Sequence, residues 1–102
     1  MWKSEEEQCA AIRAFLSKAA HGRLEKFWTD KGPTDKAVFY VDKGSPLSSG
    51  ETLLLNVAFD VWNGSGHATV GDLLTTLDNE NLAAVIELML VARPGARPGE
   101  AS

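Results

Sequence analysis

Cysteine and histidine are scarce in this sequence: its 102 residues contain one cysteine, Cys9, and two histidines. One thiol cannot form an internal disulfide, and so few thiols and imidazoles exclude the common zinc sites. The Gly-x-Ser-x-Gly, phosphate-loop and His-Glu-x-x-His patterns are missing as well. Cys9 falls on the core face of the first predicted helix, more than three turns before His21, so the two cannot meet within it. We therefore expect a protein that is not an enzyme and holds no metal or cofactor.

Long hydrophobic runs are also missing. The longest, Leu53 to Trp62, is interrupted by Asn56 and Asp60 and is shorter than the roughly 20 residues that cross a bilayer. Residues 1–7 lack the basic start and apolar stretch of a secretory signal. We expect a soluble cytoplasmic protein with no membrane partner.

Basic residues are absent from almost half of the chain. Residues 1–43 carry eight Lys/Arg and seven Asp/Glu, whereas residues 44–92 carry no Lys/Arg. The acidic residues of this second half are Glu51, Asp60, Asp72, Asp78, Glu80 and Glu87. Such a surface repels phosphate and attracts a basic partner, which disfavours nucleic-acid binding through this half. The alternative is a solvated acidic face that serves solubility.

What is present is the composition of one globular domain, with 44% hydrophobic and 24% charged residues. Residues 1–92 are predicted to form a single helical domain. Residues 93–102 repeat Arg-Pro-Gly and are predicted to be a disordered tail.

Helix start signals are frequent. Three Ser/Thr-x-x-acid capping patterns occur, at Ser4 with Glu7, Ser48 with Glu51 and Thr69 with Asp72. Asp78 is a fourth start, between Leu77 and Leu82 at the positions of a hydrophobic staple. The predicted helices are about Glu5 to Ala20, about Ser49 to Trp62, a short third helix after Thr69, and Asn79 to Ala92.

The predicted fold is mainly α (with α+β as a possibility), about four helices packed as a small bundle. In the first helix Cys9, Ile12, Phe15, Leu16 and Ala19 recur at helical spacing and should face the core. The second helix is apolar nearly all round and the fourth resembles it, so these two are expected to form the core together. In the fourth, Leu82, Val85, Ile86 and Met89 are assigned to the buried face, and Leu88 and Val91 widen it.

The segment between the first two helices is predicted to contain a short β-hairpin or strand. Ala37 to Val41 are β-branched and aromatic between polar flanks, which favours a strand. Leu24, Phe27 and Trp28 have the spacing of a helical turn, or they form the other arm of a hairpin closed by residues 30–34. We favour the hairpin, because a lone strand leaves its backbone groups unpaired.

Residues 61–72 resemble the calcium loop of EF-hand proteins over about twelve positions. The resemblance places Gly66 at the invariant glycine and Asn63, Ser65 and Asp72 at ligand positions three, five and twelve. Val61 occupies the first ligand position, and Asp72 replaces the longer glutamate. A degenerate calcium loop is therefore an alternative with too little negative charge for tight binding.

The last three predicted helices also resemble a helix-turn-helix unit in length and spacing. The helix that would enter the DNA groove begins Asp-Asn-Glu-Asn and has no basic residue before Arg93. Lys26, Lys31, Lys36 and Lys43 alternate with aromatic residues, which is the composition of a single-strand nucleic-acid platform or of an ordinary hairpin with one solvated face. Nucleic-acid binding through this hairpin is the competing hypothesis.

The main hypothesis is a small acidic protein that acts by binding another protein with a basic surface, as a monomer or small homo-oligomer. A narrower form is an inhibitor or regulator of a nucleic-acid-handling enzyme, of the kind phages use against host defence. Trp and Tyr often anchor interfaces, although Trp2, Trp28 and Tyr40 could instead close the core. The partner-binding candidates are Asp72, Asp78, Glu80, Glu87, Trp28 and Tyr40.

Overall fold

A computed structural model describes residues 4–92 of the chain. The helices are α1 (Glu5–Lys18), α2 (Asp35–Lys43), α3 (Ser49–Asn63), α4 (Val70–Thr76) and α5 (Asn79–Ala92). Two 3-10 turns, Ala19–Gly22 and Glu25–Phe27, follow α1, and β1 (Trp28–Thr29) pairs antiparallel with β2 (Gly32–Pro33). The predicted mainly α fold with a short hairpin is confirmed. The predicted tail, 93–102, and Trp2 lie outside the described residues.

The predicted helix starts are confirmed by their caps. The Ser4, Ser48 and Thr69 hydroxyls accept from backbone amides three residues ahead at 3.1–3.2 Å. Glu51 completes a reciprocal capping box by accepting from the Ser48 amide at 3.1 Å. Asp78 accepts from the Asn81 amide at 2.8 Å, which places α5 where the sequence predicts it. Each contact satisfies amides that the first helical turn leaves unpaired.

The strand predicted at Ala37 to Val41 is wrong, because these residues lie in α2. The Thr34 hydroxyl accepts from the Ala37 amide at 3.2 Å and caps the helix. Ala37 is buried and Tyr40 and Val41 are half-buried at i+3 and i+4, so helical spacing serves the core. The cap and this packing outweigh the β propensity of the segment.

The hairpin forms earlier in the chain, at residues 28–33, and not with Ala37 to Val41 as an arm. Thr29 stabilises its turn, since its hydroxyl donates to the Gly32 carbonyl at 2.9 Å and accepts from the Lys31 amide at 3.1 Å. Phe27 closes a 3-10 turn immediately before β1. The helical turn and the hairpin, weighed as alternatives for this segment, therefore occur one after the other.

The core is organised around α1, which packs against both α3 and α5. All five residues predicted to form its core face are buried. Gln8 ties its first turns to the end of α3, donating from Nε2 to the carbonyls of Val61 at 2.9 Å and Trp62 at 3.1 Å. Contact between α3 and α5 is less extensive than the contact of either with α1. The expectation that these two helices form the core together is therefore corrected: α1 is the helix that joins them.

The buried face of α5 agrees only in part with the predicted one. Val85 and Leu88 are buried with Ala84, whereas Ile86 and Met89, predicted to face inward, are nearly half exposed. Apolar side chains of α5 point to most sides of the helix, so their periodicity does not indicate which face is buried. Packing against α1 makes the choice and leaves large apolar side chains outside.

The chain reverses direction after α1 through three successive residues with left-handed backbone. Ala20, His21 and Gly22 have φ of 52°, 55° and 79°. This conformation costs about 1–2 kcal/mol for a non-glycine residue. The Asn81 side chain holds the turn, because its Oδ1 accepts from the Ala20 amide at 2.9 Å. The start of α5 is thereby fixed against the end of α1.

The loop between α3 and α4 is held closely against α3. The Asp60 carboxylate accepts from the amides of His67 at 2.7 Å and Ala68 at 2.8 Å. Gly66 is buried on α3, where an added Cβ would lie 1.8 Å from the carbonyl oxygen of Asn56. The loop therefore has a single close-packed conformation. Within residues 4–92, no helix is both long and apolar enough to span a membrane.

Candidate protein-interaction surface

Exposed apolar side chains are concentrated on the last two helices. Among residues 4–92, eight large hydrophobic residues are exposed, and six of them belong to the half without Lys or Arg. Val70 and Leu74 lie on α4, and Ile86, Met89, Leu90 and Val91 lie on α5. The other two, Val38 and Phe39, lie on α2. Large apolar patches on a folded domain commonly mark interaction sites.

The four apolar residues at the end of α5 form what we call the α5 surface: Ile86, Met89, Leu90 and Val91, each 44–54% exposed. Ile86, Met89 and Leu90 have i, i+3, i+4 spacing and so share one helix face. Val91 borders a shallow groove between α1 and α5 that Ala11 and Ala14 line on the opposite side. Glu87 also lines this groove and lies between Val91 and the other three residues around the helix, so Val91 forms the edge of the α5 surface next to α1.

Acidic residues border this surface. Glu80 and Glu87 are exposed and seven residues apart on α5, which places them on one stripe about 10 Å apart along the axis. Glu87 is bonded to Lys18 Nζ at 2.7 Å, with both side chains more than half exposed. Such an exposed pair contributes little to stability and can exchange partners. Asp78, also exposed, caps α5.

Asp72 lies apart from the other three predicted acids. It is exposed in the first turn of α4 and lines a hollow with Leu47, Thr52 and Asn56. The four predicted acids therefore do not form one patch around a common centre. Two of them lie in α5 and Asp78 caps its start, beside an apolar surface that was not predicted from the sequence.

Trp28 lies in the core and not on the surface. It is 2% exposed and packs edge-on against Phe59 and Trp62, with ring centroids 5.2 Å and 5.7 Å away. Tyr40 is half-buried against Phe27, and Lys36 Nζ lies 5.8 Å from its ring centroid. The sequence allowed Trp28 either to anchor an interface or to close the core, and its burial supports the second role. Its ring is not available for stacking on a base.

Cys9 has the environment of a structural thiol. It is fully buried, and burial raises the pKa of its thiol, although the nearby Trp28 side chain acts in the opposite direction. A thiol with a raised pKa stays protonated and is a poor nucleophile at neutral pH. Across the described part of the chain, no three His, Cys, Asp or Glu residues are grouped as metal ligands. Asp60, the residue before the segment that resembles a calcium loop, accepts from two backbone amides of that segment.

The α5 surface was not predicted from the sequence, although the composition of α5 carries a signal for it. Residues 82–92 contain more large apolar side chains than one helix face can bury. An excess of this kind predicts an exposed apolar strip even where it cannot say which residues form it.

No protein-family model, curated protein or solved structure matches this chain. The geometry and chemistry of the chain itself are therefore the basis for any function proposed for it.

Proposed function

We propose that this is a non-enzymatic protein that acts by binding another protein through the α5 surface. The observation that carries the proposal is the set of four large apolar residues near the end of α5, each about half exposed and three of them on one helix face, on a helix with no basic residue. The partner is expected to offer an apolar face bordered by Lys or Arg. These would meet Glu80 and Glu87, while the apolar side chains fill the centre of the contact.

The chemistry of the α5 surface suits this arrangement. Met89 is flexible and fits irregular partner surfaces, and Ile86 and Leu90 supply apolar area whose removal from water drives association. The acidic border contributes mainly to the association rate and to the choice of a basic partner. Apolar contacts account for affinity that persists at high salt, whereas the acidic contribution is screened.

A narrower proposal is that the partner is a nucleic-acid-handling enzyme whose basic groove this protein occupies. The half of the chain without Lys or Arg supports it, since such a groove attracts negative charge. Occupation of a phosphate site by acidic residues alone would be strongly salt-dependent. Binding that combines α5 apolar contacts with the acidic border would retain part of its affinity at high salt.

The test compares two doubly substituted variants in affinity capture from a lysate of the source organism. Ile86→Lys with Leu90→Lys adds two positive charges to the α5 surface, and Phe39→Lys with Asp35→Asn makes the same change of net charge at exposed positions of α2. All four positions are exposed, so both variants should fold, which circular dichroism and thermal unfolding would verify. We expect one protein to be captured by the wild type and the α2 variant and lost by the α5 variant.

Salt and oligomeric state distinguish the alternatives. Glu80→Lys with Glu87→Lys should weaken capture at low salt more than at high salt. Capture retained by the α5 variant and lost by the α2 variant would contradict the proposal. A wild-type dimer in light scattering that becomes a monomer in the α5 variant would show that a second copy covers this surface.

A further inference from the structure

A cleft of about 470 Å³ lies between α2 and the end of α3, away from the α5 surface. Val38, Val41 and Asp42 line it from α2, and Phe59, Trp62 and Asn63 line it from α3. Both sets have i, i+3, i+4 spacing, so each helix presents one face to the cleft. Pro33, Ser65 and His67 complete the lining. Its size is that of a small-ligand site.

The wall that residues 63–68 form is fixed before any ligand arrives. The Asp60 carboxylate binds two of its amides, and the Asn63 Oδ1 accepts from the Ser65 amide at 3.1 Å. His67 is held at φ 60°, a left-handed conformation that persists in a non-glycine residue where its surroundings determine it. The backbone amides of Ser65 and His67 make these bonds, and their side chains take no part in them. A preformed wall lowers the entropic cost of binding.

The lining favours a planar cation. Its floor is aromatic, from Phe59 and Trp62, and Asp42 supplies a carboxylate. No lysine or arginine is among the described residues that line it, which disfavours phosphate and other anions. The only cation recorded on Asp42 among residues 4–92 is Lys43 at 3.5 Å, with both side chains about two-thirds exposed. Such a pair is weak and is readily replaced.

We propose that this cleft binds a guanidinium group. A guanidinium is planar, stacks on aromatic rings and donates hydrogen bonds in a fork that matches a carboxylate. Asp42 accepts that fork, the Trp62 ring provides the stacking surface, and the Ser65 hydroxyl and Asn63 amide accept the remaining donors. A compact ammonium would use the carboxylate but not the stacking surface, so guanidinium is preferred over ammonium.

The test is an amide-resolved NMR titration of the full chain with methylguanidinium, with methylammonium at equal ionic strength as the comparison. We expect saturable shifts of the Val38, Asp42, Ser65 and His67 amides, and weaker binding of methylammonium. Asp42→Asn should weaken methylguanidinium binding about tenfold, which is about 1.4 kcal/mol, because it removes the negative charge that strengthens the hydrogen bonds from the guanidinium. Asp30→Asn, an exposed residue outside the cleft, makes the same charge change and should leave binding unchanged.

Val38→Lys places a cation at the cleft mouth, at a position that is 47% exposed, and should abolish binding without unfolding the protein. A tripeptide Gly-Arg-Gly is the second probe: stronger binding than methylguanidinium identifies an arginine side chain as the source, and equal binding identifies the free group. Shifts that grow linearly without saturation, or equal weakening by Asp42→Asn and Asp30→Asn, would overturn the proposal. Because the α5 surface is not involved, this result does not depend on the proposed function.

Discussion

Replacement of Gly66 by alanine offers a sharp test of the packing described for the loop between α3 and α4. A Cβ at this position would lie 1.8 Å from the carbonyl oxygen of Asn56 and 2.6 Å from its carbonyl carbon. Both atoms belong to the backbone of α3, so no change of side-chain rotamer relieves the clash. The loop must move away from the helix by more than 1 Å, given the ordinary van der Waals distance between carbon and oxygen.

The cost of this movement can be worked from the contacts that it breaks. The carboxylate of Asp60 holds the amides of His67 and Ala68, and displacement of the loop lengthens both bonds. Charge-assisted hydrogen bonds contribute about 1.5–3 kcal/mol each; the bond to His67 is exposed and the bond to Ala68 only partly buried, so we take about 1 kcal/mol for each. Overpacking adds about 1–3 kcal/mol. We expect Gly66→Ala to lower the free energy of unfolding by about 3–5 kcal/mol.

Two matched substitutions make this expectation specific. Gly50 in α3 and Gly71 in α4 are helical, and an added Cβ would meet nothing within 4 Å at Gly50 and only the Thr69 hydroxyl at 3.9 Å at Gly71. Replacement of either by alanine should stabilise the protein by about 0.5–1 kcal/mol, because alanine is the better helix former. The same added methyl group is therefore expected to destabilise the protein at position 66 and to stabilise it at positions 50 and 71.

Urea unfolding followed by tryptophan fluorescence and circular dichroism measures all three variants. A loss below about 1 kcal/mol for Gly66→Ala, with an unchanged dependence on urea, would refute the argument, since overpacking alone should exceed it. That outcome would mean that the loop does not lie on α3 as described.

Three further predictions concern the caps and the left-handed turn. The pKa of Glu51 is lowered by its hydrogen bond to the Ser48 amide and then by Arg23. The contribution of Glu51 to stability is therefore present above the ordinary carboxylate range and is lost as the pH falls through the lowered pKa. Urea unfolding across pH should show that Glu51→Gln is less stable than wild type by about 0.5–1 kcal/mol near neutral pH and equal to it in acid. His21→Gly should raise the free energy of unfolding by up to about 1 kcal/mol, because glycine adopts the left-handed backbone without strain, and an unchanged or lower thermal midpoint would count against it. Asn81→Ala should cost about 1–2 kcal/mol by leaving the Ala20 amide without its acceptor, with faster hydrogen exchange at that amide.

The helices of the predicted bundle could be located from sequence because their starts are local. Each depends on a side chain and an amide three residues apart, as at Ser4, Ser48, Thr69 and Asp78. Such a signal does not depend on the rest of the fold. Thr34 carries the same signal for α2, but Ala37 stands where an acid would complete the capping box, and the following β-branched and aromatic residues pointed to a strand.

The candidate surface could not be predicted in the same way, because exposure is decided by distant contacts. Trp28 and Ile86 illustrate the difficulty. Tryptophan is as typical of an interface as of a core, and only the packing of Phe59 and Trp62 around Trp28 places it inside. Ile86 has the spacing of a core residue, yet α1 contacts the opposite side of its helix.

The arrangement of α1 and α5 also has a consequence for synthesis on the ribosome. Ala20, just after α1, contacts Asn81 at the start of α5, and Lys18 at the end of α1 contacts Glu87. The two helices therefore run antiparallel, and α1 is covered by a helix that is synthesised later. Until residues 79–92 emerge, the apolar face of α1 lacks α5, one of the two helices that cover it. A nascent chain stalled before α5 would expose that face and bind chaperones or aggregate.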